Sequence, residues 1–156
     1  MIKRKLYYQI QKFIKGREAI IVTGMRQVGK TTLIKQIFET IQSDNKLYLD
    51  LESPLNQRHF ENEDYEKIIK MLQESGIDNS KKAFIFLDEI QFVKNIPSFV
   101  KYCIDHYQWK FFLTGSSSFY LKNLFSESLA GRKYLFELYP FDFEEFLELQ
   151  GVKGKP

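Results

Sequence analysis

The strongest constraint on this chain lies between residues 19 and 38. Ala19-Ile20-Ile21-Val22-Thr23 is a short apolar run rich in β-branched residues and reads as a buried strand. Thr31 to Phe38 has helical periodicity, and this helix is expected to end near Ser43-Asp44-Asn45. The loop between them, Gly24-Met25-Arg26-Gln27-Val28-Gly29-Lys30-Thr31, fits G-x-x-x-x-G-K-[ST] in full. Glycines let such a loop adopt positive φ and bring backbone N–H groups close around an anion. The helix that follows points its unpaired N–H groups and positive dipole end at the same place. Lys30 would supply charge to the β- and γ-phosphates of a nucleotide, and Thr31 a hydroxyl ligand for Mg²⁺, which prefers hard oxygens. The expected nucleotide-binding set is therefore Gly24, Met25, Arg26, Gln27, Val28, Gly29, Lys30, Thr31 and Thr32. Arg26 can either contact phosphate or fold back onto the sheet. A dinucleotide fold is disfavoured, because Gly24-Met25-Arg26 lacks the G-x-G opening.

A second group of residues fits the same chemistry. Phe84-Ile85-Phe86-Leu87-Asp88-Glu89 is an apolar strand ending in two acids, and strand carboxyl ends converge on the ligand crevice of such sheets. Asp88 would hold Mg²⁺ through water, and Glu89 would orient and polarise an attacking water. The next strand ends in Thr114-Gly115-Ser116-Ser117-Ser118. If it lies between the first and third strands, its polar end faces the γ-phosphate. One of Thr114, Ser116 or Ser117 would then sense phosphate or help hold the water, with Ser116 the first choice. Arg132 follows Gly131 just before a fifth strand. There it is either a surface arginine or a finger that reaches a neighbouring subunit's nucleotide and neutralises developing charge.

The remaining chain continues the alternation. Lys46 to Leu51, Lys110 to Thr114 and Tyr134 to Leu138 read as strands. Asp64 to Glu74, a stretch from Pro97 through Tyr107, Ser118 to Leu129 and Asp142 to Leu149 read as helices, and Pro54 with Asn56 as the start of a loop. Strands alternating with helices mean an α/β domain with a mostly parallel sheet, here of five strands in three layers.

Composition narrows the alternatives. The 156 residues suit one domain, and 15 Phe and 9 Tyr argue against disorder. The longest clean apolar run, Ala83 to Leu87, is far short of the roughly 20 residues that cross a bilayer. The lone Cys103 reads as a small core residue, and with His59 and His106 it makes no metal-site spacing. A reduced, cytoplasmic protein without structural zinc is expected. The formal net charge is +3, but residues 1–50 carry ten Lys and Arg against four Asp and Glu. Lys3, Arg4, Lys5, Lys12, Lys15 and Arg17 begin that excess, with Leu6, Ile10, Phe13 and Ile14 at helical spacing among them. Residues 1–17 read as a basic N-terminal helix. It is either packed by its apolar face or a surface for DNA or a protein partner.

Five ordered blocks carry a family resemblance: Gly24 to Leu33, Leu87-Asp88-Glu89-Ile90-Gln91, Leu113 to Ser117, Leu129-Ala130-Gly131-Arg132 and Glu137-Leu138-Tyr139-Pro140-Phe141. Together they resemble the AAA+-type P-loop ATPase domain of bacterial and archaeal ATP-binding proteins that usually carry a C-terminal domain of unknown function. The resemblance implies ATP and Mg²⁺ as ligands. It implies Lys30 and Thr31 as phosphate and metal residues, Asp88 as the Walker B acid and Glu89 as the catalytic base. The serines after Gly115 fall at the sensor position, and Arg132 at the arginine-finger position. Met25 departs from the usual proline. The expected organisation is a nucleotide-binding domain over residues 1–140 and the start of a truncated lid or linker over 141–156. Two functions compete: an ATP hydrolase, for which a homo-oligomer that completes the site between subunits is one form, and a nucleotide-gated module that binds DNA or a protein without hydrolysis. No N-K-x-D guanine signature occurs in the chain.

Overall fold

The computed structural model describes residues 3–25, 28–116 and 129–151. Five strands form one sheet: β1 (Ala19–Gly24), β2 (Lys46–Asp50), β3 (Ala83–Asp88), β4 (Trp109–Ser116) and β5 (Lys133–Leu138). Their order is β2-β3-β4-β1-β5, and every pairing is parallel. The fourth strand thus lies between the first and third, as the placement of its polar end required. The helices are α1 (Lys5–Gln11), α2 (Lys30–Thr40), α3 (Pro54–Phe60), α4 (Tyr65–Glu74), α5 (Ile96–His106) and α6 (Phe143–Leu149).

Side-chain alternation along each strand separates two cores. Ile20, Val22, Phe86 and Phe112 point to one face, where Tyr7 and Ile10 of α1 and Leu33, Ile34 and Ile37 of α2 cover them. Ile21, Ile85, Leu87, Phe111 and Leu113 point to the other, against Phe60 of α3, Ile68, Ile69 and Leu72 of α4, and Phe99, Val100 and Cys103 of α5. Covering both faces is why β1 and β3 carry unbroken apolar runs, Ala19 to Val22 and Ala83 to Leu87. Phe86 and Phe112 are register partners on adjacent strands, and their rings stack at 4.2 Å with 7° between planes. This is the three-layer α/β sandwich with a five-stranded parallel sheet that the sequence implied. No helix among the described residues is long and apolar enough to cross a membrane.

Two local expectations differ from the structure. Pro54 starts a helix rather than a loop, because proline is tolerated at the first helical position, where its missing N–H would have no helical partner. That helix seats Phe60, which is fully buried. At the N-terminus, α1 covers only part of the basic segment 1–17. Phe13 and Ile14 lie beyond its end but still pack against the α1–α2 core. The helix expected over 118–129 lies outside the described residues, except for Leu129 in a turn.

Candidate functional site

Parallel strands bring their carboxyl ends to one edge, and the candidate residues gather there. Gly24 ends β1, Asp88 ends β3, and Thr114 and Ser116 lie at the end of β4. Gly24 is required sterically: a Cβ there would sit 2.6 Å from the Leu138 carbonyl and 3.0 Å from a Val28 methyl. Gly29 holds φ +99°, which favours glycine, and stands at the N-cap of α2 with no described side chain capping it. The first turn of α2 therefore presents its N–H groups toward the loop, where an anion would be stabilised.

Lys30 opens α2 and is 5% exposed. Its Nζ donates to the carbonyls of Gly24 at 2.9 Å and Met25 at 2.8 Å, so the ammonium lies folded over its own loop. Met25 is exposed, Val28 is buried, and Thr32 lies on the exposed side of the first turn of α2. Arg26, Gln27 and Ser117 lie outside the described residues.

Asp88, 2% exposed, is the hub of the site. Its Oδ2 accepts from Thr31 Oγ1 at 2.7 Å and from the Tyr48 hydroxyl at 2.5 Å. Its Oδ1 accepts from Thr114 Oγ1. A carboxylate left unpaired at this depth would be strongly unfavourable, and three hydroxyl donors satisfy it. Burial, and then the hydrogen bond to Asp88, push the Tyr48 phenol well above its ordinary pKa, so it keeps its proton and donates. Tyr48 sits mid-strand on β2, and its sequence context, Leu47-Tyr48-Leu49, gave no sign of this role.

Thr114 also ties the next residue, accepting from the Glu89 backbone N–H at 3.0 Å. Of the three residues considered for the end of β4, Thr114 therefore touches both acids. Ser116 enters through its backbone N–H, which donates to Gln91 Oε1 at 3.3 Å. Gln91 Nε2 in turn donates to Glu89 Oε2 at 2.5 Å. Glu89 adopts φ 61°, ψ 55°, and is the one non-glycine residue with positive φ among the described residues. That conformation costs about 1–2 kcal/mol, and such strain concentrates at functional positions.

Arg132 stands apart from this edge. It precedes β5 at the amino end of the sheet, where its carbonyl accepts from Ala19 N–H at 2.8 Å. From there to Gly24 is about 16 Å along a strand rising roughly 3.3 Å per residue, too far for its side chain to reach its own loop. Its Nε pairs with Asp105 Oδ1 on α5 at 2.8 Å.

Arg4 is a contact that sequence reasoning missed. In the sequence it belongs to the basic N-terminal segment, yet it is 7% exposed. Its guanidinium donates to the carbonyl of Val28 inside the loop at 2.7 Å, to the Tyr139 carbonyl at 2.5 Å and to Glu145 of α6 at 2.9 Å. It also lies 4.1 Å from the Phe141 ring centroid. Lys5 pairs with Asp142 and Glu144 at 2.7 and 3.0 Å. These two cations bind the chain to itself. Only the Glu-rich start of α6, Phe143-Glu144-Glu145, could have signalled it.

Comparison with known proteins agrees with this geometry. The AAA domain family matches residues 16–147. An uncharacterized protein of Haemophilus influenzae is 30% identical over 161 residues, covering 99% of this chain and 40% of that protein. Uncharacterized protein MJ1544 of Methanocaldococcus jannaschii is 32% identical over 135 residues, covering 86% of this chain and 29% of that protein. The chain thus spans less than half the length of these relatives. Among solved structures, Aeropyrum pernix ORC1 in complex with DNA superposes with a TM-score of 0.57 at 16% identity, over 95% of this chain and 47% of that one. PCH-2 of C. elegans gives 0.58 at 14%, over 92% of this chain and 43% of that one. At such identities the likeness is one of fold. The family match over most of the sequence, with the phosphate loop and the strand order, makes this chain a member of the AAA domain family, an AAA+-type P-loop ATPase domain.

Proposed function

We propose that the chain binds Mg·ATP and hydrolyses it to ADP and phosphate. The observation that carries this reading is the 2.7 Å hydrogen bond between Thr31 and Asp88, beside the Lys30 loop and immediately before Glu89. Two hard oxygen groups from separate elements meet where the loop would hold the β- and γ-phosphates. This suits Mg²⁺, which commonly takes few protein ligands and completes its shell with water and substrate phosphate. When bound, the ion neutralises charge on the phosphate oxygens.

The chain's own residues would do the rest. The loop N–H groups and the start of α2 would hold the phosphates. Lys30 would exchange the carbonyls of Gly24 and Met25 for phosphate oxygen and stabilise charge in the transition state. Glu89 would orient the attacking water and take its proton. Thr114 fixes the Glu89 backbone, and Ser116 lies one strand from the loop, in register with Gly24. Arg132, held by Asp105 at the opposite end of β5, would act only on the nucleotide of a neighbouring copy.

A second reading, a nucleotide-gated module holding DNA or a protein, is favoured by the exposed Lys12 and Lys15 that follow α1. The test is steady-state phosphate release from Mg·ATP across a range of protein concentration, with Glu89→Gln alongside. Hydrolysis predicts turnover that this variant lowers about 100-fold or more while keeping ATP bound. Binding without turnover in the unaltered chain would favour the module.

A further inference from the structure

Gln91 follows the two acids and has no part in the chemistry described so far. A carboxamide has an acceptor end and a donor end, and here the surroundings fix which is which. Its Oε1 accepts from Ser116 N–H at 3.3 Å, so its NH₂ group faces Glu89 Oε2, to which it donates at 2.5 Å. Gln91 sits in the single 3₁₀ turn Ile90–Phe92, which is anchored by Ile90 at 1% exposure. Its backbone is therefore fixed while its side chain reaches across the surface. Glu89 is thus held to the end of β4 at both of its ends. Thr114 accepts its backbone N–H, and Gln91 links its carboxylate to Ser116 two residues further along the same strand.

We propose that Gln91 is a positioning residue that couples the end of β4 to the carboxylate of Glu89, so that displacement of Ser116 re-aims the group that activates water. The proposal rests on the reading of Glu89 given above. The left-handed backbone at Glu89 gives the coupling its sense. Its side chain leaves the strand in a direction few residues adopt, and one hydrogen bond from Gln91 sets where the carboxylate points. A shift of the β4 end on nucleotide binding would break or redirect that bond without moving the core.

Gln91→Ala should lower kcat about tenfold or more, the scale of a misaimed catalytic group, and leave KM for Mg·ATP within about twofold. Gln91→Glu keeps the shape but sets a carboxylate against Glu89, and should lose at least as much. Because Gln91 acts through Glu89, the double variant Glu89→Gln/Gln91→Ala should be no slower than Glu89→Gln alone. A loss that adds in full, or unchanged kcat in Gln91→Ala, overturns the proposal. Normal turnover in Glu89→Gln overturns the reading of Glu89 and the proposal with it. An inactive Glu89→Gln beside a fully active Gln91→Ala overturns the proposal alone. A measurement independent of turnover uses ¹⁵N-labelled protein. Gln91→Ala should shift the Ser116 backbone amide proton, and Glu89→Ala should shift the Gln91 side-chain amide protons. Unshifted resonances in either variant overturn the coupling.

Discussion

Lys30 and Lys110 lie at opposite ends of the same sheet and are built alike. Both are buried, at 5% and 0% exposure, and each ammonium donates to two backbone carbonyls. Lys30 takes those of Gly24 and Met25, and Lys110 those of Phe13 at 2.9 Å and of Glu18. The difference lies in what surrounds them. Lys30 begins a helix, where the backbone dipole favours negative charge and works against an ammonium. Its two carbonyls belong to the adjacent loop, so an anion arriving there would relieve the conflict. Lys110 is the second residue of β4, and its acceptors lie far away in sequence, so its hydrogen bonds join the N-terminal segment to the sheet. Burial with carbonyl partners therefore does not mark a working cation. Position at a helix start, on the edge where the strands end, is what separates Lys30 from Lys110. A groove of about 650 Å³ lies beside Lys110, lined by Arg17, Lys82, His106 and Trp109. Arg17, Lys82 and Lys110 around it already donate to backbone carbonyls.

The comparison breaks most readily in nucleotide binding. Lys30→Ala should weaken Mg·ATP about 100-fold or more, the scale of losing a buried charge-assisted contact to phosphate. Lys110→Met should leave affinity within about twofold. Isothermal titration of both variants checks the pair, and equal losses would dissolve the distinction.

Arg4 sharpens the comparison, because it shares features of both lysines. Like Lys110 it joins remote segments, and like Lys30 it touches the loop. Arg4→Gln removes one partner of a buried ion pair and should cost about 3–5 kcal/mol of stability, read by urea unfolding. The same variant should also weaken Mg·ATP several-fold, because Val28 loses its anchor. A full stability loss with unchanged affinity would place Arg4 with Lys110.

The smallest expected effect is in pH. Burial away from water lowers Lys110 to about 8 from its ordinary 10.5. Between those values the unfolded chain binds more protons than the folded one, so the contribution of this group to stability rises with pH across that window. Below pH 8 both states are protonated and the disadvantage of burying the charge is complete. Thermal melts from pH 7 to 10.5 should show Lys110→Met lacking this component, and parallel pH curves for the two proteins would refute it.

The sequence was most legible where chemistry restricts residue choice. Gly24, Gly29, Lys30 and Thr31 announce the loop because backbone approach, positive φ, charge and a hydroxyl each admit few residues. Strands β1 and β3 were legible because both sheet faces are covered there, which leaves continuous apolar runs. Pro54 misled because proline is compatible both with a loop and with a helix start, and only the burial of Phe60 decides between them. Tyr48 and Arg4 were hidden for another reason. Their roles come from neighbours supplied by strand order and by long-range packing, and nothing within a few residues of each encodes those neighbours. Arg4 shows this most clearly, since its partner Glu145 lies at the other end of the described chain.

The strand order also has a consequence for synthesis. Strand β1 is made early, yet its two hydrogen-bonded neighbours are β4 and β5. About 85 residues separate Gly24 from Trp109, so at roughly 5–20 residues per second a ribosome needs on the order of 4–17 s to supply the first neighbour. During that interval Ala19 to Gly24 has no sheet partner, and its β-branched surface is the kind that associates with other chains. A strand of the sheet interior, hydrogen-bonded on both sides in the finished fold, is thus the nascent segment that waits longest for a place.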